Sequence, residues 1–332
     1  MERLGIALGS GLSPDQIVRC VQLAEECGYD SAWIVEGHGG DQFSLLTACA
    51  LATKKIRLGT AISSVFVRTA PTVAMAAACV DYFSKGRFVL GLGSSHKVQV
   101  EPEHGQVYTK PLERVRDYVT IVRRLLRDGR ISYSGATVTI ADFQLWFRPL
   151  RQELPIYLAA VFPQMLQLAG EIAQGVLLVW MAPSYMQFVA EQIAIGAGRA
   201  GRKLGDIQLA SLLPASVSGD EKAAFDALRP VAAFYLGTFP RYRKMLAGAG
   251  FADEAARVQE LWKSGDQANA AASVSDALIE TVTIAGSPAR CRQRLAAYRA
   301  AGLQLPILMP AASGPESEPQ VMAAIRGCAP NS

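Results

Sequence analysis

Short runs of Val, Ile and Leu alternate along this chain with longer stretches whose apolar residues recur about every 3.6 positions, the pattern of repeated strand-helix units. Eight such runs stand at 4–8, 32–36, 56–62, 88–93, 156–160, 176–180, 207–217 and 306–309. Two intervening helices carry clear ends: Ser13-Pro14 opens one that Gly28 stops, and Ser287-Pro288 opens another that Gly302 stops. A hydroxyl at the cap, proline in the first turn and glycine past the end is the expected polarity of a helix. The strands are apolar almost without alternation, so both of their faces must be buried. Eight of them, each followed by a helix, close most simply into a (β/α)8 TIM barrel, an α/β fold that takes residues 1–332 as a single domain. An open doubly wound sheet is the competing arrangement, but no GxGxxG follows the first strand.

Two stretches break the repeat. Residues 131–155, before the fifth strand, have the alternation and Gly turn of a hairpin; residues 238–286 add polar, Ala-rich helices between the seventh helix and the last unit. Such insertions usually decorate the mouth of a barrel or build a subunit contact. The tail 314–332 predicts one last helix and a frayed end.

Composition narrows the partners. Half of the residues are hydrophobic, enough for a large core, and a net charge of +4 is spread too thinly to expect nucleic acid. Arg123, Arg124 and Arg127 recur at helical spacing and read as a solvated face. No run approaches the roughly 18 apolar residues of a membrane span, and the first residues lack the flanks of a secretory signal, so a cytoplasmic protein without a membrane partner is expected. Cys20, Cys27, Cys49, Cys79, Cys291 and Cys328 show no CxxC spacing and lie mostly in apolar helical stretches, which predicts neither zinc nor disulfides.

Barrel enzymes keep their chemistry where the strands end. The chain has three histidines, and two of them, His38 and His96, stand just past the second and fourth strands, in SAWIVEGH and RFVLGLGSSH. Imidazole is the side chain most easily tuned for proton transfer near neutrality. The other strand ends contribute Glu36, Gly37, Gly39 and Gly40; Ala61, Ile62, Ser63 and Ser64; Gly93, Ser94 and Ser95; Ala159, Ala160, Val161 and Phe162; and Trp180 with Met181. This inventory has no carboxylate cluster for a metal and no carboxylate pair for glycoside hydrolysis. Ser95 adjoins His96, but neighbours at a strand end point apart, which disfavours a serine nucleophile. Small, hydroxyl-bearing and aromatic residues suit a flat, largely apolar cofactor with a polar tail, although small residues at strand ends also serve tight turns.

The run GTAISSVFVRTAPTVAMAAACVDYFSKGRFVLGLGSSH, followed by VEPEHGQVYTKPLERVRDYVTIVRRLLRDG, resembles the bacterial-luciferase-like superfamily. Within it, the resemblance is to the branch of oxidoreductases that use the deazaflavin coenzyme F420, which includes methylenetetrahydromethanopterin reductases. AAVFPQMLQLAGEIAQG and AGSPARCRQRLAAYRAAGL extend the similarity over nearly the whole chain. The resemblance implies a barrel with deazaflavin across its C-terminal mouth and a non-prolyl cis peptide at Ala61-Ile62 whose bulge backs the ring. Carried over position by position, it implies cofactor contacts from His38, Ala61, Ile62, Ser63, Ser64, Gly93, Ser94, Ser95, Ala159, Ala160, Val161, Phe162, Pro163 and Trp180. Three departures stand out. Relatives commonly carry an acid before the first histidine, where this chain has Gly37, with Glu36 one place earlier. Those that oxidise sugar phosphates carry a glutamate after GLGS, where the place falls on His96. A glycine pair before the proline of the fifth loop is replaced by Val161 and Phe162.

The implied activity is hydride transfer between F420 and a small organic substrate, with His38 or His96 as the catalytic residue moving the proton, and no metal. The alternatives are an FMN-dependent monooxygenase of the same superfamily and a non-catalytic flavin-binding barrel. Arg68 is a candidate for an anionic tail or for a surface ion pair, and His104 for a lid loop or a solvated turn. Trp146 and Phe147 in the hairpin segment, and Trp180 with Met181, are candidates for an apolar substrate pocket. Relatives are commonly dimers, so a homodimer is expected.

Overall fold

The structure, a computed structural model, describes residues 2–9, 11–312 and 316–330. Eight parallel strands form its centre: β1 (Gly5–Leu8), β2 (Ser31–Ile34), β3 (Arg57–Thr60), β4 (Phe88–Gly93), β5 (Ile156–Ala159), β6 (Gly175–Val179), β7 (Gln208–Val217) and β8 (Leu305–Pro310). Each pairs with the next, and β8 pairs with β1, so the sheet closes into the barrel that the repeat predicts. Closure satisfies every strand edge, which is why strands of four to six residues suffice for most of the ring.

The lumen is packed solid. Ala7, Trp33, Val89, Tyr157, Leu177, Leu212 and Ile307 meet inside it, with the Trp33 and Tyr157 rings 5.7 Å apart. Gly59 is required by this packing, since a Cβ there would lie 2.4 Å from the Trp33 ring. Above this layer, towards the strand C-termini, Val35, Ala61, Ile62, Val179 and Met309 close the lumen while keeping part of their surface exposed. Outside, helices bury one apolar stripe each; Pro111–Asp128, for example, buries Val115, Tyr118, Val119, Val122, Leu125 and Leu126 at spacings of three and four.

The two insertions sit at different ends. Arg130–Ser134 and Thr139–Gln144 form an antiparallel hairpin whose turn is held by the buried Asp117 carboxylate, accepting from the Thr137 backbone N–H and hydroxyl at 2.7 Å each and from the Tyr133 hydroxyl at 2.8 Å. The chain then runs under the barrel, where the Arg151 guanidinium pairs with the buried Asp81 and donates to the carbonyl of Phe88, the first residue of β4. Trp146 and Phe147 therefore lie by the C-terminus of Pro111–Asp128, at the end where strands begin, with Trp146 96% exposed. They cannot line a substrate pocket at the mouth, because the hairpin exit leads away from it.

The second insertion begins earlier than residue 238. Helices Glu221–Asp226 and Arg229–Thr238 belong to it, the latter packing on Ala252–Lys263 and Gln267–Ala272. The helix that crosses from β7 to β8 is Pro288–Ala300, so the insertion precedes the seventh barrel helix rather than following it. The strand Ile284–Gly286 brings the chain back beside Ala215, Ser216 and Val217 of β7. Of the tail, Ser317–Gly327 is helical; 314, 315, 331 and 332 lie outside the described residues.

One local irregularity sets the shape of the mouth. β3 pairs with β4 at Gly59 opposite Val89, and the chain rejoins β4 at Ser63 opposite Leu92, so three residues on one side span two on the other. The rung lost at this bulge is replaced by a side chain: the buried Thr60 hydroxyl donates to the Gly91 carbonyl at 2.7 Å and accepts from the Gly91 N–H at 2.8 Å. Thr60→Val keeps the shape but strands both Gly91 groups in the interior, which costs about 2 kcal/mol or more. Equilibrium denaturant unfolding of the variant checks this; an unchanged midpoint would show that Gly91 finds other partners.

Candidate active site

The bulge leaves Ala61 and Ile62, joined by a cis peptide, half-exposed above the lumen. Ile62 leans over β4, where a Cβ on Gly93 would come within 2.9 Å of it and within 3.0 Å of Ala159. Gly93 is thus small because Ile62 occupies the space. Ala61 and Ile62 join Val35, Val179 and Met309 in a half-exposed apolar floor contributed by β2, β3, β6 and β8. Val35, Val179 and Met309 escaped the sequence reading; their signal was position alone, one residue past or at the end of a strand.

Around this floor the polar groups are largely committed. The Glu36 carboxylate accepts from the Ser64 N–H at 2.6 Å and pairs with the Arg68 guanidinium, which also holds Asp41 at 2.6 Å. Arg68 is therefore used in tying the ends of β2 and β3 together, and burial pulls its pKa down from the usual guanidinium value. Ser64 is buried, its hydroxyl accepting from the Phe66 N–H at 3.2 Å, so it shapes the bulge from within. Ser63 is buried too, but its hydroxyl has no partner.

On the β4 side, Ser95 takes a positive φ of 50°, and Tyr108 reaches back from the following loop to place its hydroxyl 3.1 Å from the Ser94 hydroxyl. Tyr108 is itself stacked on Phe66 at 4.7 Å, with the Arg114 guanidinium on the other ring at 4.8 Å. Tyr108 was missed because nothing in the sequence marks a loop tyrosine as folding back on its own strand end. On the β5 side, Ala160 is buried, while Ala159, Val161, Phe162 and Pro163 are half-exposed at the start of helix Pro163–Ile172.

The two histidines meet opposite environments. His38 is 80% exposed, and its Nε2 lies 3.2 Å from the Glu103 carboxylate on helix Lys97–His104. His96 is tucked against the second insertion, its ring 4.3 Å from Phe239 and 5.3 Å from Tyr242. Burial, with the Arg241 charge adding to it, pushes the His96 pKa down to about 4, so its imidazole is neutral near pH 7. His104 ends the same helix as Glu103 and is exposed.

Trp180 follows β6 with a positive φ of 57°, an unusual conformation for so large a residue, and is fully buried with its ring 5.0 Å from Tyr235. It supports the mouth from beneath rather than lining it, because the insertion helix lies over it. Met181 is buried as well. Strained backbone at Ser95 and at Trp180, both immediately past barrel strands, is the kind of outlier that clusters at functional sites.

These groups fit a flat, mostly apolar ligand. The floor offers a surface free of charge, the N-terminus of Pro163–Ile172 offers polar contacts at its edge, and the loop after β2 carries an exposed imidazole, His38; the buried Ser63 hydroxyl is closed off from a ligand. Among the described residues no group of His, Cys, Asp and Glu side chains is placed to share a metal ion.

Comparison with known proteins bears on the same residues. The family model described as Luciferase-like monooxygenase matches residues 1–305. The 5,10-methylenetetrahydromethanopterin reductase of Archaeoglobus fulgidus is 31% identical over 289 residues, covering 85% of this chain and 86% of that one. The reductase of the same name from Methanopyrus kandleri is 29% identical over 300 residues, covering 86% and 85%. Among solved structures, the coenzyme F420-dependent tetrahydromethanopterin reductase from Methanopyrus kandleri matches at a TM-score of 0.87 with 27% identity, over 99% of this chain and 98% of that one. An F420-dependent secondary alcohol dehydrogenase in complex with an F420-acetone adduct shares the fold at a TM-score of 0.79 and 20% identity, over 98% of each chain. The similarity runs through the barrel and both insertions, and the chain belongs to the luciferase-like monooxygenase family.

Proposed function

We propose that this protein is an F420-dependent oxidoreductase that transfers hydride to or from a small organic substrate. The observation that carries this reading is the half-exposed apolar floor of Val35, Ala61, Ile62, Val179 and Met309, in a barrel whose fold is shared by two proteins named for F420 dependence. When bound, a deazaflavin supplies a ring carbon that gives or takes the hydride. The chain's own residues then have three tasks. The floor supports a planar ring and excludes water from its lower face. Ser94 and Ser95, the segment 159–163 and the helix that follows it offer hydroxyls and backbone N–H groups to a polar edge or tail. His38 moves the proton that accompanies the hydride, because it is the exposed imidazole at the rim; His96 acts as a neutral group shaping the pocket wall.

Equilibrium titration of the protein with F420 and with FMN tests the cofactor. Binding of F420 in preference to FMN is expected, and a preference for FMN would assign the chain to the oxygen-using branch. Single-turnover hydride transfer tests the histidines. His38→Ala should slow it by about 10²- to 10⁴-fold, the usual contribution of a placed proton carrier. His96→Gln should leave the pH dependence near neutrality unaltered, since the native imidazole takes up its proton only near pH 4.

The reading includes a cytoplasmic homodimer. All six cysteines are free thiols, which suits a reducing compartment, and no helix among the described residues is long and apolar enough to cross a membrane. Helices Gln42–Ala52 and Ala70–Phe83 carry a single charge between them, the buried Asp81, yet expose Leu51, Tyr82 and Phe83. A helix that is apolar all round calls for a partner on both faces, and a second copy of the chain supplies it. Tyr82→Lys should shift the solution mass by light scattering from that of two 35.5 kDa chains towards one; a wild-type protein of monomeric mass would remove the dimer from this account.

A further inference from the structure

We propose that Glu103 is a positioning residue for His38, holding its imidazole in the tautomer whose Nδ1 is the basic nitrogen. The inference rests on the reading of His38 as the proton carrier and extends it to a residue on a different strand's loop. The two side chains meet at 3.2 Å across 65 residues of sequence, Nε2 against a carboxylate oxygen. An ionised carboxylate can only accept, so the hydrogen must sit on Nε2 and the lone pair on Nδ1.

The surrounding structure makes Glu103 the fixed partner and His38 the one that needs fixing. His38 lies among Gly37, Gly39 and Gly40, with Gly40 at a φ of 129°, in a segment pinned only at its ends. Those pins are Glu36 and Asp41, both on Arg68, with Asp41 also capping helix Gln42–Ala52 through the Ser44 N–H at 2.8 Å. Between them nothing in the backbone dictates where the imidazole points. Glu103, by contrast, rides on helix Lys97–His104, anchored by the fully buried Val100 and ended by Gly105 in the left-handed conformation. Its neighbour Glu101 is already engaged, accepting from the Tyr108 N–H at 3.2 Å and pairing with Lys97. Glu36, the acid nearest His38 in sequence, is committed to Arg68 and the Ser64 N–H. Glu103 is thus the carboxylate that reaches the ring. The pair is solvent-facing, and exposed pairs of this kind contribute little to stability, so what it offers is orientation.

Ring-nitrogen NMR of the apo-protein carrying isotope-labelled histidine provides the direct test, with His38→Asn identifying the His38 signals. The wild type should show His38 almost wholly as the Nε2–H tautomer; Glu103→Ala should relax it to the mixture of a free imidazole, in which Nε2–H is the larger share but Nδ1–H is plainly populated, and Glu103→Gln, which keeps an acceptor oxygen, should stay at the wild-type ratio. In single turnovers with F420, Glu103→Ala should slow transfer by about tenfold with little change in the substrate concentration that gives half the maximal rate, the signature of a misoriented catalytic group. That loss should vanish when His38 is already alanine. His38 ring signals identical in the wild type and Glu103→Ala would overturn the proposal. Should His38→Ala transfer hydride at the wild-type rate, the proton-carrier reading fails, while the tautomer measurement still decides whether Glu103 orients the ring.

Discussion

The Thr60 hydroxyl bridging both backbone groups of Gly91 is the contact on which the mouth of this barrel depends. A closed parallel sheet allows no unpaired strand edge in its interior, yet a flat ligand surface at its rim requires one strand to bend away from the ladder. The extra residue in β3 produces that bend, and Thr60 restores the missing rung from a side chain. Much of the rest follows. Ala61 and Ile62 turn over the lumen, Gly93 must stay small beneath Ile62, and the Ser64 N–H, swung out of register, is taken by Glu36. Glu36 in turn needs a cation, which Arg68 supplies. The ion pair at this rim belongs to the bulge and leaves the floor uncharged.

An uncharged floor and a compensated rim explain why the two histidines diverge. His38 stands on a glycine-rich loop that leaves its imidazole open to water. His96 follows β4 just as His38 follows β2, but the second insertion covers it with Phe239 and Tyr242. Removing an imidazole from water while placing Arg241 nearby penalises its cation twice. The same residue type at the same kind of position therefore meets two environments, decided by what lies above it.

The parts of this structure that were legible in the sequence are those encoded within a few residues. Apolar runs marked all eight strands, and the helix ends read at Ser287 and Gly302 are present, with the Ser287 hydroxyl accepting from the Arg290 N–H and Gly302 at a φ of 100°. What escaped was encoded between distant residues. A run from 56 to 62 reads as one continuous strand because an extra residue has no signature until the partner strand is laid beside it. Glu103 meets His38 only because the helix after β4 folds across the loop after β2. The aromatic pair Trp146 and Phe147 has a composition that suits a pocket, and composition cannot say at which end of a barrel it will lie. The helix Arg229–Thr238 looks like a barrel crossover by length and periodicity, and only its packing on Ala252–Lys263 assigns it to the insertion.

The mouth is consequently built from two sources under different constraints. The β2, β3 and β4 side is held by hydrogen bonds and ion pairs, each with a narrow range of distance and angle: Thr60 to Gly91, Glu36 to Ser64 and Arg68, Tyr108 to Ser94. The opposite side meets the rim through ring faces, Tyr235 on Trp180 and Phe239 with Tyr242 on His96. Ring contacts tolerate several arrangements at nearly equal energy, whereas a buried hydrogen bond lost by a small shift leaves two groups unpaired. The bonded side is therefore held close to one geometry. The aromatic side has more latitude, and its residues can change in size without disturbing the bulge on which the floor rests.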